Sequence, residues 1–169
     1  SLQASLLAGD ESRLQSLPAV SAAIIWDGRA DRLTAATDRL ANLWLCWRRQ
    51  GDRLVVATSA ARVADEWSEP AGFDLAAAAE ILWLGYAVSD ATLFCGVSRV
   101  PSASILRFDS GGTSESRYWT PRFGVGPGQP VDDTLDVFRS SVGRATAGPR
   151  TAIALSGGID TRAILASTI

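Results

Sequence analysis

Apolar runs separated by short polar turns mark the first part of the chain. The four runs occupy residues 20–26, 33–37, 43–47 and 54–58. The turn at 27–31 contains Asp-Gly, a strong hairpin signal between two such runs, and a second turn lies at 50–52. The pattern predicts four strands arranged as a meander, followed by a short helix over residues 60–67.

Helical spacing of apolar residues follows, and it begins after Asp74, a residue well suited to cap a helix N-terminus. The helix is predicted to end at Gly85 or just after it. Its apolar residues fall on one face: Leu75, Ala78, Ala79, Leu82 and Tyr86. Further on, the turn at 109–112 is predicted to join a third hairpin, formed by residues 104–108 and 115–119.

The C-terminal part of the chain has a different pattern. Residues 120–130 carry three prolines and three glycines and are predicted to be a linker. Residues 131–145 have helical apolar spacing, and Gly148-Pro149 ends that helix. Residues 151–155 are a short apolar run with β-branched members, which predicts a buried strand of a parallel sheet. A further helix is predicted from Ile159 onward.

The turn between that strand and that helix has the features of an anion site. Gly157 and Gly158 let the backbone approach a ligand closely. The first amides of a helix have no partner within the helix, and the helix dipole adds partial positive charge, so a phosphate is favoured there. Ser156 adds a hydroxyl, and the Asp160 carboxylate suits a magnesium ion that bridges phosphates.

The sequence of this loop differs from the two commonest phosphate loops. It lacks the lysine of a Walker A loop and the Gly-x-Gly-x-x-Gly of a Rossmann loop. Ser-Gly-Gly-x-Asp-Ser/Thr after a strand instead resembles the PP-loop of ATP pyrophosphatases, which cleave ATP between the α- and β-phosphates and adenylate a substrate. The alternative interpretation is an ordinary strand-to-helix turn that uses two glycines.

Composition narrows the function classes. Hydrophobic residues make up 47% of the 169, enough for a core, and the net charge of −2 implies no attraction to nucleic acid or anionic lipid. We find no signal peptide and no run long enough to span a membrane, which predicts a cytoplasmic protein. There is no histidine, so a Ser-His-Asp or Cys-His mechanism within the chain is excluded. Cys46 and Cys95 lie in apolar surroundings and are predicted to be reduced core cysteines.

Five short stretches, in order and ending at the loop, together resemble glutamine-dependent asparagine synthetase and its relatives. Residues 22–27 (AAIIWD) resemble the family's FALALWD, 33–40 (LTAATDRL) resemble LxLARDRLG, 53–58 (RLVVAT) resemble RLxFAS, 92–101 (TLFCGVSRVP) resemble TIFxGIxKLPPG, and 117–121 (RYWTP) resemble RYWxP. The matches cover most of the chain, and their order is far more specific than any one of them.

The resemblance implies two domains. Residues 1–121 would be the later half of a glutaminase-type domain of the N-terminal-nucleophile class, an α+β fold with a β-sandwich flanked by helices. Residues 122–130 would be a linker. Residues 131–169 would begin an α/β PP-loop synthetase domain of the ATP pyrophosphatase type. The glutaminase nucleophile, an N-terminal cysteine in the family, lies upstream of these residues, so no catalytic residue is expected within the chain.

The resemblance also implies the chemistry. In the family, ATP adenylates a carboxylate, and ammonia or an amine then displaces AMP. The residues that match the ATP-binding loop are Ser156, Gly157, Gly158, Ile159, Asp160 and Thr161. Asp160 would bind Mg²⁺. The expected partners are ATP, a carboxylate substrate such as aspartate or a peptide or amino-acid carboxylate, and glutamine or ammonia as nitrogen donor; a homodimer is compatible with the family, and nucleic acid and membrane are not expected.

Some residues depart from the family pattern. Thr161 replaces the usual serine but keeps a hydroxyl, and Arg162 follows where many members have a second serine. Residues 41–47 (ANLWLCW) replace GxRPLYY and lose its glycine, arginine and proline. This divergence leaves open a macrolactam-forming cyclase of the same family, of the lasso-peptide cyclase or β-lactam synthetase type. A non-catalytic nucleotide-binding remnant is the alternative from a different class.

Two features of the sequence predict a piece of a longer protein. There is no methionine, and the chain stops at Ile169, less than three turns into the helix that follows the loop. A phosphate loop on the first strand of an α/β sheet needs further βα units to complete a site. We therefore expect residues 1–169 alone to be inactive and to bind ATP no tighter than about 1 mM.

Overall fold

The computed structural model describes residues 20–69, 71–123, 131–148 and 150–168, which contain seven strands and four helices. The strands are β1 (Ala22–Asp27), β2 (Arg32–Thr37), β3 (Cys46–Gln50), β4 (Arg53–Ala57), β5 (Ser98–Arg99), β6 (Ser104–Asp109) and β7 (Gly112–Arg117). The helices are α1 (Ala60–Asp65), α2 (Leu75–Leu84), α3 (Val131–Thr146) and α4 (Ile159–Ala166). The chain divides into two compact units, Ser1–Arg122 and Phe123–Ile169, which we call unit 1 and unit 2.

Unit 1 is a mixed α+β fold built on two antiparallel sheets. One sheet has the strand order β1-β2-β6-β7 and the other has the order β4-β3-β5. A buried apolar cluster draws on both sheets and their flanking loops: Ala35, Leu45, Val100, Leu106 and Phe108. The rings of Trp47 on β3 and Phe108 on β6 meet edge to face with centroids 5.2 Å apart, so the two sheets share one core.

The three predicted hairpins are confirmed, but the predicted four-stranded meander is wrong. β2 pairs with β1 and β6, whereas β3 pairs with β4 and β5 in the other sheet. Hairpins follow from local turn chemistry, which the sequence displays. The segment between β2 and β3 instead crosses from one sheet to the other, and the spacing of apolar residues does not encode that choice.

The two helices in the described part of unit 1 lie near their predicted positions. Ser59 caps α1, which buries Val63 and Ala64 against the sheet that contains β3. Asp74 caps α2, as predicted, by accepting hydrogen bonds from the amides of Ala76 and Ala77. The helix ends at Gly85, whose φ of 83° lies in the left-handed region that favours glycine.

The apolar face that we assigned to α2 is not the buried one. Leu75 and Leu82 are 79% and 88% exposed, and among the described residues of this helix only Ala77 is buried. Residues 76–79 are four consecutive alanines, so the sequence around the helix offers several equally apolar faces. Packing of the flanking segments, rather than the periodicity of α2, decides which face turns inward.

Unit 2 contains the two predicted helices but not the predicted strand. Residues 151–155 form no strand, and four of the five are exposed. A strand requires a hydrogen-bonded neighbour, and none of the described residues of unit 2 supplies one. The buried-strand prediction is therefore wrong for this structure, and the opening of the α/β domain remains a prediction. Residues 1–18 and most of the predicted linker at 122–130 lie outside the described residues.

Candidate functional site

The segment 156–161 consists of a glycine turn and the first turn of α4, which begins at Ile159, as the sequence predicted. Gly158 is the N-cap residue of α4, and no side chain caps the helix. The amides of Ile159, Asp160 and Thr161 form the first turn, so they have no partner within the helix. An uncapped first turn with an exposed glycine loop before it leaves these donors accessible to an anion.

The hydroxyl of Thr161 ties the loop together. Its Oγ1 lies 3.1 Å from the carbonyl oxygens of both Ser156 and Gly158, and 3.1 Å from the Oγ of Ser156. The Oγ of Ser156 in turn accepts a hydrogen bond from the amide of Gly158. The two hydroxyls predicted to contact phosphate are therefore engaged with the loop itself. A phosphate would have to displace the Ser156 hydroxyl to reach the Gly158 amide.

Asp160 is an exposed acidic residue in the first turn of α4. In the part of the chain that the structure describes, no group of three or more His, Cys, Asp or Glu side chains could hold a metal ion. Asp160 is thus a single carboxylate, which fits an ion held mainly by phosphate oxygens and water rather than by a protein cage.

A second polar centre, which the sequence reasoning missed, lies in unit 1 at Asp38. The residue is only 2% exposed, and its carboxylate accepts hydrogen bonds from the amides of Ser21, Leu40 and Asn42 and from the Asn42 side chain. Burial alone would raise the pKa of the Asp38 carboxyl, but these hydrogen bonds outweigh it and lower the pKa below its usual value. Asp38 is therefore held as an anion inside the fold.

Asp38 also organises its neighbours through the backbone. Its carbonyl accepts the amides of Ala41 and Ala103, which have φ of 51° and 53° in the left-handed region. The phenol of Tyr118 donates to the carbonyl of Thr37 at 2.7 Å, next to Asp38 in sequence. Asp38 thus joins the crossing loop after β2 to the segment before β6. The sequence feature that could have identified Asp38 is its position as a charged residue directly after the buried strand β2.

The two cysteines differ in their surroundings. Cys46 is buried, and burial raises the pKa of its thiol, although the positive charge of Arg99 acts in the opposite direction. Cys95 is exposed, so the prediction of two core cysteines holds only for Cys46. Both cysteines are free thiols in the structure.

No helix among the described residues is both long and apolar enough to cross a bilayer.

Comparison with known proteins gives one family. Residues 2–119 match the family model described as a glutamine amidotransferase domain. The matched stretch lies within unit 1, and the loop at 156–161 lies beyond it. No curated protein matches the chain.

Proposed function

The chain belongs to the glutamine amidotransferase domain family, and on that premise we propose that it is part of an asparagine synthetase-like, ATP-dependent amide-forming ligase. Domains of this family serve the transfer of amide nitrogen, which accounts for unit 1. The further step, activation of the accepting carboxylate by ATP, is assigned to unit 2. Neither assignment requires a histidine, which the chain lacks.

The observation that carries the ATP proposal is the loop at 156–161. It keeps the Ser-Gly-Gly-x-Asp-Thr pattern, it stands at an uncapped helix N-terminus, and it follows an amidotransferase domain in the same chain. A loop of this kind offers backbone amides to the phosphates that leave when ATP is cleaved. Amides already in place where negative charge develops lower the barrier to that cleavage.

In the proposed reaction, a substrate carboxylate attacks the α-phosphorus of ATP and pyrophosphate leaves. The first-turn amides of α4 would hold the departing pyrophosphate, joined by the hydroxyls of Ser156 and Thr161 once these leave their hydrogen bonds within the loop. Asp160 would hold Mg²⁺, which would neutralise part of the phosphate charge. Ammonia released from glutamine then attacks the acyl carbon, and AMP leaves as the amide forms. The acyl substrate is a carboxylic acid such as aspartate.

The proposal is tested by the products of ATP cleavage in the full-length natural protein. We expect AMP and pyrophosphate, formed in the presence of a carboxylate substrate and Mg²⁺. Asp160→Ala should lower the adenylation rate at least about a hundredfold. Asp133→Ala is the matched control, because Asp133 is an exposed acid in the first turn of α3, outside the loop. Formation of ADP and phosphate would contradict the assignment.

A second candidate of the same family, a macrolactam-forming cyclase, is favoured by one observation. Residues 41–47 depart from the family pattern, yet Ala41 keeps a left-handed backbone where the pattern has glycine. The loop geometry is thus retained while the side chains have changed, as expected for a member with altered nitrogen chemistry. The two candidates differ in the amine: a synthetase forms product only with glutamine or ammonia, and a cyclase forms product with an amine of its own substrate.

A further inference from the structure

An open cavity of about 410 Å³ is formed by residues of unit 1, and none of the residues that line it belongs to the glycine loop. It is bounded by β3 and β5, the N-terminal end of α1, the C-terminal end of α2, and the segment 85–94 that follows α2. Its volume falls within the range of small-molecule sites, roughly 300–1,000 Å³. Neither the family match nor the proposed reaction assigns it a ligand.

The lining of this cavity is largely apolar. Its larger apolar and aromatic side chains are Trp44, Ile81, Tyr86, Leu93 and Phe94. Two of the polar side chains that line it are already engaged: the Thr92 hydroxyl donates to the Val97 carbonyl, and the Ser59 hydroxyl caps α1. The side chains therefore favour a ligand whose body is apolar or aromatic, because such a body loses no hydrogen bonds on entry.

The lining carries one charge, the guanidinium of Arg99, and no carboxylate. One terminal nitrogen of Arg99 donates to the carbonyl oxygens of Ala87 and Ser89, which fixes the side chain in place. The guanidinium carbon lies 5.3 Å from the ring centre of Trp44. These contacts hold the cation in the wall of the cavity.

No carboxylate in the described part of the chain lies within ion-pair distance of Arg99, although Asp90 lines a neighbouring cavity together with it. Neither of the ion pairs found among the described residues involves Arg99, and its Nε is shielded from water without a hydrogen-bond acceptor. Burial raises the pKa of the Cys46 thiol, which also lines the cavity, and the positive charge of Arg99 acts against that rise. A cation in such a position is incompletely compensated, and an anion beside it would be favourable.

We propose that this cavity binds a small organic monocarboxylate with an apolar or aromatic body, its carboxylate beside Arg99 and its body among the apolar side chains. The carboxylate supplies the missing counter-charge. The body removes apolar surface from water on both sides. The cavity shares no residue with the ATP loop, so the proposal can be tested independently of the proposed ligase reaction.

The first test uses the unmodified chain and two probes of the same shape. 3-Phenylpropanoate carries the carboxylate, and 3-phenylpropanamide replaces it with a neutral amide. Titration followed by ¹H–¹⁵N spectra should give a dissociation constant at least about tenfold lower for the acid. The shifts should centre on the Trp44 indole, Gly85 and Ala91. Equal binding of acid and amide, shifts elsewhere, or no binding at about 10 mM would overturn the proposal.

The second test fills the cavity. Ala60→Leu places a larger side chain at a lining position, and Ala79→Leu makes the same change on an exposed position of α2 outside the lining. We expect Ala60→Leu to weaken binding of 3-phenylpropanoate at least about tenfold and Ala79→Leu to leave it unchanged. Unchanged binding in folded Ala60→Leu would overturn the proposal. If Ala60→Leu does not fold, the comparison of acid with amide in the unmodified chain still decides.

Discussion

The sequence predicts secondary structure equally clearly in unit 1 and in unit 2, but only in unit 1 do the described elements pack into a buried apolar core. In unit 1, Ala36 and Ile105 are completely buried, and three clusters of buried apolar residues connect its elements. In unit 2, Val142 is the only buried apolar residue among those described, and it is 8% exposed. The difference between the units shows that a local sequence pattern can specify a helix, whereas a strand and a core also require neighbouring segments to pack against.

Helices carry their hydrogen bonds within themselves, so α3 and α4 form where their patterns predict. A strand makes its backbone hydrogen bonds to a neighbouring strand rather than within itself. Residues 151–155 have the composition of a buried strand, yet they stay outside any sheet because no described part of unit 2 offers a neighbouring edge. The loop at 156–161 is therefore held by α4 and by its own hydroxyls rather than by a sheet.

The largest expected contrast comes from one leucine in each unit. Leu45 is 2% exposed in the core shared by both sheets, and Leu155 is 63% exposed. Leu45→Ala should lower the free energy of unfolding of unit 1 by about 3 kcal/mol, because it leaves a cavity. Leu155→Ala should change it by less than about 0.5 kcal/mol. All six tryptophans lie between residues 26 and 119, so urea unfolding followed by tryptophan fluorescence measures unit 1. Equal losses of unfolding free energy in the two variants would contradict the claim that Leu45 is part of a packed core and Leu155 is not.

Substitution of Asp38 in unit 1 and of Asp160 in unit 2 compares a buried carboxylate with an exposed one. Asp38→Asn should cost about 2 kcal/mol, because hydrogen bonds to a buried carboxylate are lost, whereas Asp160→Asn should leave unit 1 unchanged. The folded pKa of Asp38 is lowered, so its contribution is complete above the unfolded value near 4 and is lost as pH falls below about 4. Urea unfolding at several pH values should show this loss in the unmodified chain and a smaller loss in Asp38→Asn. Parallel losses in both would contradict the role of Asp38.

Sequence reasoning succeeded where information is local and failed where partners are distant. The Asp-Gly turn, the Asp74 cap and the Gly85 end are local, and all three are found. The order of strands across the two sheets depends on how the loop after β2 crosses, and the sequence pattern is silent on that crossing. The anionic state of Asp38 depends on local hydrogen bonds from Leu40 and Asn42 and on one from Ser21, 17 residues earlier, and no known motif combines these donors.

The candidate sites divide in the same way. The loop at 156–161 was found because its chemistry lies in six consecutive residues. The cavity beside Arg99 was missed because its walls come from β3, β5, α1 and α2, and because an arginine with no described carboxylate within ion-pair distance is visible only in three dimensions. Cys95 was assigned to the core because its neighbours in sequence are apolar, although its side chain faces outward.

The smallest expected effect concerns two alanines with left-handed backbone. Ala41 and Ala103 have left-handed backbone, and both stand where the family pattern has glycine. Ala41 aligns with the glycine of GxRPLYY, and Ala103 aligns with the last glycine of TIFxGIxKLPPG. Because an L-residue is strained at this φ, Ala41→Gly and Ala103→Gly should each stabilise unit 1 by about 0.5–1 kcal/mol in thermal unfolding. Ala163→Gly in α4 is the control and should not stabilise unit 1. Destabilisation by both glycine substitutions would mean that the left-handed backbone is not strained.

Hydrogen exchange of the backbone amides in residues 1–169 tests the contrast between the units most directly. Amides of β2 and β6, at Ala35, Ala36, Ile105 and Leu106, should exchange at least about a thousandfold more slowly than in an unfolded chain, because they open only with the core. Amides at residues 151–155 should be slowed by less than about tenfold. Equal protection at 151–155 and in β2 would show that this segment is part of a sheet, and it would contradict the claim that only unit 1 turns its sequence signals into a core.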